Sequence, residues 1–185
     1  MRSEPDEKGT SASDGAVVSE SLRPVWLLDV DGVLNASKPG WSGSPVTRTA
    51  YAGAKAFPLR FAPALIRRIR AVHERGTVEV RWATTWVDHI DQVVRVMRLP
   101  AWACAFSLGR GEVDAESAKY AAALHVVEVE RRPLIWTDDE AIPVEGSPAH
   151  RRLREAGPRV LLIRPRSNRG LQPEHLDQIR HFLAG

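Results

Sequence analysis

The sequence predicts an α/β fold: a Rossmann-like parallel sheet of about five strands, helices on both faces, and a small cap insertion after the first strand. Three observations carry the prediction. Short apolar runs alternate with longer segments of helical periodicity, which sets strands side by side beneath two helical layers. The first run, Val25-Trp26-Leu27-Leu28, is continuously apolar, as a strand covered on both sides must be. Three of the strands end in hydroxyl or carboxylate residues, Asp29, Thr84 and Asp138, and open parallel sheets bind ligands beyond the carboxyl ends of their strands.

Residues 1–22 are rich in Ser, Glu, Asp and Gly and read as a disordered tail. Residues 23–185 read as one domain. Its first strand is Val25–Asp29. A stretch rich in Gly, Pro, Ser and Ala follows, Asn35 to Pro58, and reads as a loop. A helix is expected over Pro63–Arg75, with Leu65, Ile66, Ile69 and Val72 on one face and Gly76 as its stop. Val78–Ala83 is the next strand. A helix over Val87–Arg98 ends before Pro100. Ala101–Phe106 reads as a short strand, Ser117–Val127 as a helix and Leu134–Thr137 as a strand. Pro148–Ala156 is helical and stops at Gly157-Pro158. Val160–Ile163 is the last strand. The final helix begins near Pro173, a residue suited to a first turn, and runs to Leu183.

The bulk composition narrows the function. A chain of 185 residues with 43% hydrophobic content can bury a full core. No apolar run approaches a membrane span, and Met1–Ser21 lacks the apolar centre of a signal peptide. A cytoplasmic location is the default expectation. The lone cysteine, Cys104, sits between alanines and reads as a buried filler residue. The net charge of +3 is uneven. Residues 1–22 hold two basic and five acidic side chains, so the remainder carries +6. Arginine outnumbers lysine 22 to 4. Arginine is the better fork for phosphate, although an arginine-rich solvated surface is the favoured reading of the bias. The six histidines show no zinc spacing, and no Walker lysine loop is present.

The chemistry concentrates at Asp29-Val30-Asp31-Gly32-Val33. Alternation along a strand turns residues i and i+2 to the same side. Two carboxylates meeting at the end of a buried strand repel each other and resist desolvation. A cation relieves that strain, as does a division between one ionised and one protonated group. The pattern points to metal-assisted chemistry with a carboxylate nucleophile. Asp-x-Asp-Gly also occurs in solvated turns. A calcium loop is a poor match, because Val33-Leu34 follow and no closing Glu stands in place.

Four motifs in order resemble those of the haloacid dehalogenase-like (HAD) hydrolase superfamily. They are Asp29-Val30-Asp31-Gly32-Val33; Thr84 after Val78–Ala83; Lys119 before a helix; and Trp136-Thr137-Asp138-Asp139. The fuller strings Leu-Leu-Asp-Val-Asp-Gly-Val-Leu-Asn, Trp-Ala-Thr-Thr-Trp and Trp-Thr-Asp-Asp-Glu resemble small bacterial HAD domains, some of them associated with RNA repair. The resemblance implies a Mg2+-dependent phosphatase. Asp29 would attack phosphorus, and Asp31 would protonate the leaving oxygen and then activate water. Mg2+ would bind Asp29, the Asp31 backbone carbonyl and Asp138, with Asp139 in support. Thr84 would donate to a phosphoryl oxygen, with Thr85 as the alternative. Lys119 would neutralise charge, with Arg81 or Arg110 as the alternatives. An acid/base Asp at position 31 favours phosphatases or phosphotransferases over dehalogenases.

The insertion, about residues 35–59, is too short for a large cap domain and leaves the site open to bulky phosphates. The expected partner is a phosphorylated substrate, a nucleotide or an RNA or DNA end, with no membrane involved; the oligomeric state stays open. Trp41, Arg48, Tyr51 and Lys55 could stack bases and hold phosphates, or Trp41 could pack on the core. Trp86 could line the pocket or cover the sheet end. His89 could line the mouth, although a solvated helix position is the favoured reading. Arg164, Arg166 and Arg169 follow the last strand and could bind a distal phosphate. A non-catalytic phosphate- or RNA-binding module and a phosphotransferase are the competing functions.

Overall fold

A computed structural model describes residues 23–109, 114–157 and 159–185. The expected tail at 1–22 and the alternative cation Arg110 lie outside the described residues. The elements, in order, are β1 (Val25–Leu28), β2 (Val46–Ala52), β3 (Lys55–Phe61), α1 (Pro63–Glu74), β4 (Glu79–Trp82), α2 (Ile90–Met97), α3 (Ala115–Leu124), β5 (Leu134–Thr137), α4 (Pro148–Glu155), β6 (Val160–Ile163) and α5 (Pro173–Ala184). A 3-10 turn, Val87–His89, leads into α2, and a π-turn, His125–Val129, closes α3.

Four parallel strands pair in the order β4-β1-β5-β6. The central β1 is wholly buried, which accounts for its unbroken apolar sequence. Its alternate residues serve two cores. Trp26 and Leu28 join Leu65, Ile69, Val93 and Ile179 beneath α1, α2 and α5. Val25 and Leu27 join Ala123, Val126 and Leu153 beneath α3 and α4. Burying a leucine-sized side chain is worth about 1.5–3 kcal/mol, so these two layers fix where every strand ends.

Three expectations are corrected. Ala101–Phe106 is not a full strand. It joins the sheet edge through a single bridge, Trp82 to Cys104, held by Trp82 N–H to the Ala103 carbonyl and Ala105 N–H to the Trp82 carbonyl. Trp102 packs in one core and Ala105 and Phe106 against the other, but Cys104 is exposed and not a buried filler. The stretch read as a loop holds the antiparallel hairpin β2–β3, paired from Val46–Phe61 to Ala52–Lys55. Gly53 turns it with φ +60, as the first position of a type II′ turn requires. Pro58 is tolerated because an isolated two-stranded ribbon leaves each strand a free edge. The inner face of the hairpin, Ala50, Leu59 and Phe61, is anchored in the larger core, where β2 meets α2.

Candidate active site

The sheet brings Asp29, Thr84 and Asp138 to one end. Asp29 N–H donates to the Thr137 carbonyl, Ala83 N–H to the Leu28 carbonyl, and Asp138 N–H to the Ile163 carbonyl. The three strand tails are therefore tied in register before any side chain is considered. Asp29, Thr84, Lys119 and Asp138 are all buried.

Lys119 lies in the second turn of α3, whose start is fixed by Asp114 accepting from Ser117 N–H. Its Nζ sits 2.6 Å from Asp29 Oδ2 and 2.7 Å from Asp138 Oδ2. Asp29 Oδ1 accepts from Val30 N–H at 2.7 Å. Asp138 Oδ1 accepts from the N–H groups of Glu140 and Ala141 at 2.9 and 2.7 Å. Asp138 Oδ2 is buried with no hydrogen bond of acceptable geometry, although the ammonium is close. Asp139 approaches from the turn beyond β5, and oxygens of Asp29, Asp138 and Asp139 lie within 4.8 Å of one another.

Electrostatics report the strain. Burial, and then the neighbouring Asp138 carboxylate, push Asp29 up to about 7 against the pull of Lys119. Burial likewise raises Asp139 above the usual carboxylate range. Burial opposes the charge on Lys119, but the Asp29 and Asp138 carboxylates outweigh it and hold the ammonium above its ordinary value. Three carboxylates against one ammonium leave the cluster short of positive charge.

Asp31 stands outside this group of carboxylates. It is exposed, and both its oxygens are held: Oδ1 accepts from Asn35 Nδ2 at 2.7 Å and Oδ2 from Trp86 Nε1 at 2.8 Å. The turn between them needs Gly32 at φ +66, where a Cβ would lie 2.0 Å from Asp139 Oδ2. One carboxylate is thus buried among charges, and the other stands at the mouth of the site.

The family model described as "HAD domain in Swiss Army Knife RNA repair proteins" matches residues 25–176. The chain belongs to this HAD family. Membership makes it a HAD-type hydrolase domain in the broad sense. Nothing matches among the curated proteins or the solved structures.

The HAD domain gathers some expected residues and disperses others. Thr84 is buried at the tail of β4, and its Oγ accepts weakly from Trp86 N–H at 3.4 Å. Thr85 is exposed and lines a cavity with Asp31, Trp86 and His89. Arg81 is held by Glu79 and Glu130, so it is not the cation of the cluster. Trp41 is not brought to the site: its Nε1 donates to the Leu171 carbonyl at 2.6 Å and its ring packs in the core. Arg48 and Arg166 are exposed, and the ion pairs of the buried carboxylates are made by Lys119. Arg166 follows β6 in a turn where its carbonyl accepts from Arg169 and Gly170 N–H. His89 is half-buried on the cavity wall, not on a solvated helix face.

Sequence reasoning missed Asn35 and Phe57. Asn35 links the cap to the acid: Nδ2 reaches Asp31, and Oδ1 accepts from Arg60 N–H at 2.8 Å. Its signal was its place just past the first motif. Phe57 meets Trp86 edge-on, with centroids 5.5 Å apart at 82°. Its signal, an aromatic flanking Pro58, was weak.

Among the described residues, no helix is long and apolar enough to cross a membrane.

Proposed function

We propose that this HAD domain is a magnesium-dependent phosphomonoester hydrolase that works through an aspartyl-phosphate, acting on a nucleotide or a nucleic-acid end. The observation that supports it best is the separation of two carboxylates two residues apart. Asp29 lies in a charged cluster, and Asp31 stands clear of it beside an open cavity. Carboxylates in such different surroundings can take different roles, and a cation bound among Asp29, Asp138 and Asp139 would favour the ionised, nucleophilic form of Asp29.

The cluster fits the metal. It offers oxygen donors alone, it is short of positive charge, and Asp138 Oδ2 is a buried oxygen met only by the ammonium it shares with Asp29. Asp29, Asp138 and the Asp31 backbone carbonyl would hold the ion, with Asp139 adjacent. Bound there, Mg2+ would supply charge neutralisation for the phosphoryl oxygens.

The chain's own groups supply the rest. An Asp29 oxygen forms the bond to phosphorus while the bond to the leaving oxygen breaks, and Asp31 gives that oxygen its proton. Asp31 then takes a proton from water as water attacks phosphorus. The Asp29–phosphorus bond breaks and phosphate leaves. Lys119 and the Thr84 hydroxyl offset charge on the phosphoryl group. Trp86 and Asn35 hold Asp31 in place between the two steps.

The test is phosphate release from an aryl phosphate, nucleotides and phosphorylated oligonucleotides, with magnesium, with chelator, and with Asp29→Asn. Release that needs magnesium and vanishes in the variant is expected. Full turnover by Asp29→Asn rules the mechanism out. Tight RNA binding without turnover favours a binding module, and phosphate passing to an added alcohol favours a phosphotransferase.

A further inference from the structure

The leaving group of a phosphomonoester departs beside the acid that protonates it. The space next to Asp31, more than the space next to Asp29, therefore decides what is hydrolysed. That space is a cavity of about 250 Å3 whose walls include Asp31, Asn35, Phe57, Pro58, Trp86 and His89. It is smaller than the ~300–1,000 Å3 that engulfs a drug-sized ligand, so it suits one ring system. Phe57 is 39% exposed although apolar, and it stands edge-on to Trp86. The Trp86 N–H is already committed to Asp31. What the indole presents to the cavity is an apolar ring.

Asn35 and Pro58 are a shared wall. On their other side lies a more open hollow of about 550 Å3 bordered by Ser37, Thr47, Arg60, Ser167 and Asn168. Among the described residues no acidic side chain lines it. A guanidinium with hydroxyl and amide donors around it is a phosphate-type surface.

We propose that the two hollows form a divided leaving-group site: the Phe57–Trp86 cavity takes the terminal nucleobase, and the Arg60 hollow takes the phosphodiester that follows it. The preferred substrate is then a nucleic-acid strand that ends in a phosphate, not a free mononucleotide. A sugar phosphate has no flat ring for the first hollow, and a mononucleotide has nothing for the second. The inference rests on the phosphatase reading and adds to it the residues that select the leaving group.

The experiment compares kcat/KM, with magnesium, for an aryl phosphate, a mononucleotide, and a dinucleotide and hexanucleotide with a terminal phosphate. A dinucleotide with an abasic end is included, and ribo- and deoxyribo-strands are run side by side. The dinucleotide is expected to exceed the mononucleotide about tenfold. Loss of the terminal base should cost roughly 5- to 100-fold. Phe57→Ala should impose a similar loss on the intact end and little further loss on the abasic one. Arg60→Gln should collapse the ratio of dinucleotide to mononucleotide. Equal efficiency on mononucleotide, dinucleotide and abasic end, with the aryl phosphate still hydrolysed, overturns the inference and leaves the phosphatase standing. No magnesium-dependent release from any substrate overturns both. The wild-type comparisons decide the matter even where a variant does not fold.

Discussion

Replacing Asp29 by Asn should stabilise the metal-free protein while destroying its activity. Asp29 rises from 3.8 to about 7. At 1.36 kcal/mol per unit, the ionised form carries about 4 kcal/mol of strain at neutral pH. The sign follows from proton binding. Between about pH 4 and 7 the native state holds a proton that the unfolded chain releases, so wild-type stability falls as pH rises through this window. Asn does not titrate. Its amide nitrogen must, however, face either Val30 N–H or Lys119 Nζ, which reclaims part of the gain, since an unsatisfied buried group costs about 1–3 kcal/mol. The expected net effect is about 2 kcal/mol at pH 8, or roughly 4–8 °C in Tm for a chain of this size. The assay is urea unfolding of both proteins from pH 4.5 to 8 in chelator, repeated with magnesium. The advantage of the variant should grow with pH in chelator and shrink with magnesium, which stabilises only a chain that binds it. An advantage that is absent at pH 8, or that does not change with pH, refutes the idea of a cluster short of positive charge.

The other expectations concern the far end of the sheet and the turn between the two carboxylates. Arg81 holds Glu130 below the usual carboxylate range, and Arg81 and Arg132 do the same to Glu79 against their partial burial. Both depressed groups stabilise the fold above about pH 4.5, and that stability is lost as pH falls through their folded values. Glu130→Gln should cost about 1–3 kcal/mol at pH 7, because the carboxylate is mostly covered and takes both forks of Arg81, and much less near pH 3; unfolding midpoints at the two pH values check it. Gly32→Ala places a Cβ against Asp139 in a left-handed turn. It should lower stability by about 1–2 kcal/mol and reduce kcat more than KM, as steady-state kinetics and a thermal melt would show.

The parallel sheet was legible because each strand pairs a continuous apolar run with a polar terminus. Burial forces the first, and the tail beyond the core permits the second. The same logic placed Asp29, Thr84 and Asp138 together, and Lys119 was reachable because lysine is scarce in an arginine-rich chain. The hairpin was not legible: Pro58 interrupts its second strand, and only Gly53 marks its turn. Without the hairpin, the aromatic that faces the acid could not be told from the aromatic that fills the core. Of the two places open to Trp41 the core is the one it takes, and Phe57 is the aromatic beside Asp31. The strand expected over Ala101–Phe106 failed for a different reason: Trp102, Ala105 and Phe106 do find the cores, but the backbone meets the sheet at the single bridge of Cys104 to Trp82.

Asn35 joins the cap hairpin to the loop that carries Asp31, and Arg60 and Ala36 close the joint with a second hydrogen bond. A hairpin fastened in this way, with Leu59 and Phe61 sunk in the core, cannot swing aside without breaking the domain's own packing. It is a fixed wall, not a door. Enzymes that hand a phosphoryl group to a chosen acceptor close over it to keep solvent out. This hairpin cannot supply such a closure. On the proposed chemistry a fixed wall beside Asp31 favours water over a chosen acceptor for the phosphoryl group on Asp29.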